Sequence, residues 1–252
     1  MKTVLINGAL GRMGKSLEKV IKESKGKIDL IKVDQSRTNN CFTFADQINF
    51  EKSDLIIDFS TPQGTLSVVE FCKQNRLPAV IGTTGLSQST EQQIEELAKV
   101  VPVVYASNYS IGINLLHQLV SLSARILDQS FHPEIMEIHH QEKKDAPSGT
   151  ALSLAETVRV ARQWRDTAII RDRSSDYKSR ERQQVGVQSL RGGSVAGEHT
   201  VFFLGQNERL ELTHRAKDRI IFAQGAWKAA KWLSGKECGL YDMQDVLGFS
   251  RI

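Results

Sequence analysis

The chain has 252 residues, 40% of them hydrophobic and 25% charged. That is the profile of a soluble globular protein of one large or two modest domains, and it excludes collagen, a disulfide scaffold and a disordered chain. Lys plus Arg (33) against Asp plus Glu (29) leaves a net charge of +4, and aromatics make up 7%; both are too low for a nucleic-acid partner, though a local basic site for a small anion fits. No apolar run reaches the ~18 residues that span a bilayer, and the first residues lack a signal peptide's cleavage pattern, so no membrane partner is expected. Cys41, Cys72 and Cys238 are far apart and form no CxxC pair, which predicts thiols in a reducing cytoplasm.

The first half alternates strand and helix. Val4, Leu5 and Ile6 form a β-rich run ending at Gly8. Met13, Leu17, Val20 and Ile21 then recur at helical spacing. A second strand over 30–33 ends at Asp34, and a third, almost wholly apolar, covers 55–59. A helix over 65–75, a strand over 79–81, a helix carrying Ile94, Leu97, Ala98 and Val101, and a strand over 103–106 follow. This alternation predicts a mainly parallel sheet covered by helices, with ligands at the carboxyl ends of its strands.

After Asn108 the pattern changes. Ile111, Leu115, Leu119, Leu122 and Ile126 mark a long helix. A strand runs from Glu134 toward His140, with Met136 and Ile138 on one face and Glu137 and His139 on the other. A helix from about Ser148 to Trp164 precedes three strand-like runs over 185–191, 198–204 and 209–214. Gly205 to Glu208 reads as a hairpin turn between the last two. A final helix carries Ala223, Ala226, Ala230 and Leu233. The predicted class is therefore α/β: a Rossmann-like, mainly parallel sheet domain (1–109 with 219–252) plus a smaller α+β domain with an open mixed sheet (110–218). A charge-dense stretch over 171–182 is either a solvated loop or a lid over an anionic ligand.

Gly8, Ala9, Leu10, Gly11, Arg12, Met13 and Gly14 lie between the first strand and the first helix. Read as GxxGxxG, the loop shifts the middle glycine of the usual dinucleotide fingerprint by one residue. The physics is unchanged: backbone without Cβ turns tightly and approaches a pyrophosphate at a helix N-terminus, and Arg12 can add a charge-assisted contact. Asp34 stands 20 residues after Gly14, where a carboxylate accepts the adenosine ribose hydroxyls. Its charge favours NADH, although Lys32 and Arg37 flank it and could hold the extra phosphate of NADPH. Gly82, Thr83 and Thr84, and Ala106, Ser107, Asn108 and Tyr109, end two further strands at the same crevice.

The segment EIHHQEKKDAPSGTA (137–151) holds two histidines at a strand end, a lysine within four residues, and a Pro-Ser-Gly-Thr turn opening a helix. The Gly149 and Thr150 amides are helix-start donors fit for a carboxylate. Lys143 adds positive charge, and His139 can carry a proton near neutral pH. Such a set suits reduction of a carboxylate-bearing C=C or C=N compound. Zinc is the rival reading, but adjacent histidines on a strand diverge and no third ligand has the right spacing, so no metal is expected.

GALGRMG (8–14), DFSTPQGT (58–65), GTTG (82–85), ASNYSIGIN (106–114), EIHHQEKKDAPSGTA (137–151), SLRGGSVAGEHTV (189–201) and WLSGKECGLYDMQDVLG (232–248) together resemble the 4-hydroxy-tetrahydrodipicolinate reductase (dihydrodipicolinate reductase) family nearly end to end. The resemblance implies reduction of a small cyclic dicarboxylate with NADH or NADPH in lysine and diaminopimelate biosynthesis. It implies His139 as proton donor, Lys143 as a second donor, His140, Gly149 and Thr150 as substrate carboxylate ligands, and a homotetramer built through the second-domain sheets. It also implies that the chain's last helix returns to the first domain. Two departures stand out: the stretch over 35–53 is short, without room for the extra helix of many relatives, and 173–184 lacks the glycines usual there. Both histidines are needed near substrate, so the strand should end or bend at His139. The rivals are another amino-acid dehydrogenase, such as an aspartate dehydrogenase, and a dinucleotide-sensing regulator without turnover. Neither needs HHxxKxDAPSGT.

Overall fold

The computed structural model describes residues 1–24, 26–36, 38, 41–43, 53–172 and 179–249. Arg37 and half of the charge-dense stretch, 173–178, lie outside the described residues, as does 44–52 of the short segment after Asp34. The chain divides into two compact units, Met1–Ile111 with Arg219–Ile252, and Gly112–Asp218.

In the first unit, strands apolar on both faces demand helices on both sides. β1 (Thr3–Asn7), β2 (Asp29–Val33), β3 (Leu55–Asp58), β4 (Ala79–Ile81) and β5 (Pro102–Tyr105) are joined by a late strand, β11 (Gly239–Tyr241). The sheet is all parallel, in the order β11-β5-β4-β3-β1-β2. Alternation along β1 sends Val4 and Ile6 to one side and Leu5 to the other. Val4, Ile6, Ile57 and Val80 pack under α1 (Arg12–Glu23), α6 (Ile220–Leu233) and α7 (Met243–Leu247) through Leu17, Ile21, Ala226, Leu233 and Val246. Leu5, Ile56 and Ile81 pack under α2 (Pro62–Asn75) and α3 (Gln88–Ala98) through Val68, Cys72, Ile94 and Leu97.

Helix α2 starts three residues before the sequence pattern implies. Thr61 caps it by accepting from the Gly64 amide, and Pro62 takes the first helical position, where its missing N–H costs nothing. Strand order reverses around β1, whose neighbours are β2 and β3. That reversal places a crevice at the carboxyl ends of β1 and β3, where the glycine loop begins.

The second unit is a five-stranded mixed sheet, order β10-β9-β6-β8-β7. Its strands are β6 (His132–His139), β7 (Ile169–Ile170), β8 (Val185–Arg191), β9 (Gly197–Leu204) and β10 (Arg209–Ala216). β9 and β10 form the expected hairpin, closed by the Gly205 amide donating to the Glu208 carbonyl at 2.8 Å. α4 (Ile111–Ile126) and α5 (Gly149–Ala161) bury Ile113, Leu116, Val120, Leu154 and Val158 against Ile135, Val187, Val201 and Phe203. The five residues that marked α4 in the sequence are its exposed side: Leu115, Leu119 and Leu122 are each more than 40% accessible and Ile126 is 71%. The pattern gives the helix correctly but not the buried face, because a second apolar stripe runs along it. β7, β11 and α7 are too short to show periodicity and were not expected from the sequence.

Candidate functional site

Gly8 has φ +77°, and a Cβ there would lie 2.3 Å from the Phe59 carbonyl oxygen. At Gly14 a Cβ would lie 2.3 Å from the Gly8 oxygen and 2.5 Å from Ala9 Cα. Both contacts are with backbone, so only glycine allows α1 to start this close to β1. The turn is closed by the Gly11 amide on the Gly8 carbonyl at 3.1 Å. Gly11 caps α1 without a side-chain hydrogen bond, and the first turn holds no acidic residue. With Leu10, Gly11 and Arg12 exposed, this is an open helix N-terminus beside a guanidinium, which fits an anionic pyrophosphate. These residues, with Ala9 and Met13, are the ones that would hold the dinucleotide.

Asp34 has a task the sequence did not reveal. Its carboxylate accepts from the Leu10 amide (2.9 Å) and from the Gln35 amide (2.8 Å), so it braces the glycine loop from the end of β2. Lys32 is turned to Glu18, 3.5 Å away, rather than standing free for a phosphate.

The other expected cofactor residues divide. Thr84 and Ser107 are exposed, Ala106 and Asn108 half-buried, and the Asn108 side chain accepts from the Ser110 amide at 2.9 Å. A Cβ on Gly82 would strike the Phe59 ring. Thr83 and Tyr109 are structural in their side chains. The Tyr109 hydroxyl donates to the carbonyls of Ile81 (2.9 Å) and Val104 (3.1 Å) inside the sheet, and its ring meets Phe59 edge-on. Thr83 donates to Asp58 at 3.0 Å and accepts from the Ser60 amide at 3.0 Å.

Asp58 is the hub that sequence reasoning passed over. Fully buried, it accepts from Asn7 (2.8 Å), Ser60 (2.6 Å), Thr65 (2.6 Å) and Thr83 (3.0 Å). Burial pushes its carboxyl up, and the four donors act against that rise. The network ties the ends of β1, β3 and β4 into one platform. A carboxylate inside the otherwise apolar run LIIDF was the available signal.

In the second unit, β6 ends at His139, and the chain turns at once. The His140 amide donates to the Val195 carbonyl at 2.8 Å and the Lys143 amide to the His140 carbonyl at 3.1 Å. His139 is nearly buried, and its Nδ1 is bonded to Glu137 Oε2. Glu137 is fully buried. It takes a two-pronged ion pair from Arg191, at 2.8 Å to Oε2 and 2.7 Å to Oε1, and Oε1 also accepts from the Ser148 amide at 3.2 Å. Burial alone would raise Glu137; the guanidinium of Arg191, with Ser189 and His139, outweighs it and holds the carboxyl at about 2. His139 is lowered, first by burial, with Glu137 opposing and the charges of Lys143 and Arg191 adding to the fall.

The Lys143 ammonium lies 2.8 Å from Asp145 Oδ1, and Arg191 also donates to the Asp145 carbonyl at 2.6 Å. His199 stands edge-on to His139 at 5.2 Å, is within 3.1 Å of the Ser148 hydroxyl, and is pushed down to about 3, chiefly by burial. Ser148 caps α5 by accepting from the Ala151 amide at 3.2 Å, and Gly149 at the first helical position is exposed. His139, Lys143 and the α5 start thus share one polar cluster. Glu137, Arg191, Ser148 and His199 belong to it as well and were not singled out from the sequence.

Two family models match: residues 2–109 fit the dihydrodipicolinate reductase N-terminal model, and 112–247 fit its C-terminal model. The chain belongs to the dihydrodipicolinate reductase family. It is an NAD(P)H-dependent oxidoreductase with a Rossmann-like sheet and a second, mixed sheet. A relative from Syntrophotalea carbinolica, a 4-hydroxy-tetrahydrodipicolinate reductase, is 40% identical over 98% of this chain and 99% of its own. Among solved structures, a dipicolinate-bound dihydrodipicolinate reductase from Paenisporosarcina sp. TG-14 superposes with a TM-score of 0.76 at 23% identity, covering 97% of this chain and 98% of that one. An aspartate dehydrogenase from Thermotoga maritima shares the fold at a TM-score of 0.51 and 12% identity, covering 94% and 98%. Among the described residues no helix is long and apolar enough to cross a membrane.

Proposed function

We propose that the protein reduces 4-hydroxy-tetrahydrodipicolinate to tetrahydrodipicolinate in cytoplasmic lysine and diaminopimelate biosynthesis, with His139 and Lys143 handling protons. The bound dinucleotide supplies a hydride. The 4-hydroxyl leaves as water with a neighbouring ring hydrogen, which needs no net proton; hydride addition to the unsaturated ring carbon then leaves an anion that takes up one proton, so the reduction needs an acid beside the ring. His139 is that acid: its Nδ1 is engaged by Glu137, which leaves Nε2 for exchange. Lys143, His140 and the amides at the start of α5 neutralise the two carboxylates of the substrate. The carrying observation is this carboxylate–imidazole–ammonium cluster at the end of β6, within the stretch matching the reductase C-terminal model. An aspartate dehydrogenase shares the fold but has no need of HHxxKxDAPSGT.

The assembly belongs to the same proposal. Exposed Leu115, Leu119, Leu122 and Ile126 on α4, and Leu190 at 49% accessibility on β8, give the second unit apolar surface that favours a homotetramer. The test is steady-state oxidation of NADH and NADPH, side by side, with enzymatically generated substrate. Turnover with either, lost in His139→Gln, is the expected result; absence of turnover with both overturns the proposal. NADH is expected to be the better cofactor, because Asp34 repels a phosphate and Lys32 is engaged by Glu18.

A further inference from the structure

We propose that Glu137 is a positioning residue that sets which ring nitrogen of His139 carries the resident proton, and that Arg191 holds Glu137 in place for the task. The proposal rests on the reading of His139 as proton donor and adds the device that makes it one. Glu137 and His139 are two apart on β6, so both side chains leave the same face of the strand. In the parallel pairing with β8, Ser189 lies beside Glu137 and Arg191 beside His139; in the antiparallel pairing with β9, His199 lies opposite Glu137. Three strands thus converge on one buried carboxylate.

Four donors address that carboxylate. Oε2 serves His139 Nδ1 and Arg191, and Oε1 serves Arg191 and the Ser148 amide. An anion so held can only accept, so Nδ1 must be the protonated nitrogen of the neutral ring. Nε2 is then the atom that takes up and gives away a proton, the logic of a base oriented by a third group. The far side of the ring agrees. A Cβ on residue 197 would stand 3.0 Å from Nε2, and that residue is glycine, which leaves Nε2 uncrowded. The ionisable groups facing the ring are Glu137 on its own strand, Arg191 on β8, His199 on β9 and Lys143 in the loop after β6. Of these only Glu137 raises the affinity of His139 for a proton.

The deciding variant is Glu137→Gln. Its amide presents one acceptor where the carboxylate presents two, so it cannot satisfy all four donors whichever way it is turned. The first readout needs no turnover: nitrogen chemical shifts and titration of His139 by NMR in the full chain. The wild type is expected to show the Nδ1–H form above its pKa. Glu137→Gln should show mixed tautomers and a pKa lower by about one unit, the size of one lost charged partner. The second readout is kinetic: kcat falls at least about tenfold with KM little changed, and the limb of the pH profile assigned to His139 moves to lower pH. Glu137→Asp, which keeps the charge, should restore part of the tautomer preference. An unchanged tautomer and pKa in Glu137→Gln, or a loss entirely in KM, overturns the proposal. Should that variant not fold, Arg191→Lys replaces it, since one ammonium cannot make the two-pronged contact; a smaller shift in the same direction is expected, and none overturns the proposal. A wild-type enzyme that shows the tautomer but does not turn over would instead overturn the reading of the reaction.

Discussion

Lys143 supplies the positive charge that the sequence placed beside the histidines, and its ammonium is paired with Asp145 at 2.8 Å. Lys143→Ala should lower kcat/KM at least tenfold, about 1.4 kcal/mol of transition-state stabilisation, and an unchanged value removes the residue from the mechanism. Asp34 needs two variants because it does two things. Asp34→Ala removes the brace on the Leu10 amide and should weaken NADH and NADPH together. Asp34→Asn keeps an oxygen for that amide and removes only the charge, so it should weaken NADH several-fold and improve NADPH. Dissociation constants from nucleotide fluorescence separate the cases; Asn behaving like Ala would mean that the carboxylate serves the loop alone.

Among elements, the β1–α1 junction and the Asp58 platform are the parts with least tolerance. Gly14→Ala drives a methyl into the backbone of Gly8 and Ala9, which cannot yield without moving the loop, so it should abolish dinucleotide binding and cost about 1–3 kcal/mol of stability. Asp58→Ala leaves four hydroxyl and amide donors without their acceptor, at three strand ends and in the first turn of α2. It should cost about 3 kcal/mol or more in denaturant unfolding, and a loss under 1 kcal/mol would show the platform to be dispensable. α1, α6 and the β9–β10 hairpin were legible through helical spacing and turn residues, and β1, β3 and β4 as short apolar runs bounded by turn residues. α4 was legible as a helix and misleading as to its core, since two apolar stripes share it and only the neighbouring sheet selects Ile113, Leu116 and Val120.

At the scale of the whole molecule, buried histidines oppose protonation of the folded state. Burial holds His117 at about 4 and His199 at about 3, both in the Gly112–Asp218 unit. Their unfolded values are near 6.5. The folded state therefore resists protons that the unfolded chain takes up. The stability they confer is complete above pH ~6.5 and is lost as pH falls through 4 toward 3. Each should contribute on the order of 3 kcal/mol to that loss. Melting temperature followed from pH 7 to 3 should fall steeply, and His117→Asn should flatten the slope; an unaltered slope would assign the acid sensitivity elsewhere.

What the chain alone determined is whatever is local in it. The order of strands and helices, the glycine turn at a helix start, and the histidine–lysine segment ending a strand all follow from hydrophobic period and turn chemistry within a few residues. What only the folded molecule decided is what joins distant residues. Arg191 meets Glu137 across 54 positions and Asn7 meets Asp58 across 51, on strands whose pairing no local pattern encodes. Burial then gives those meetings their strength, because a charge removed from water is held only by the partners that the tertiary structure brings to it.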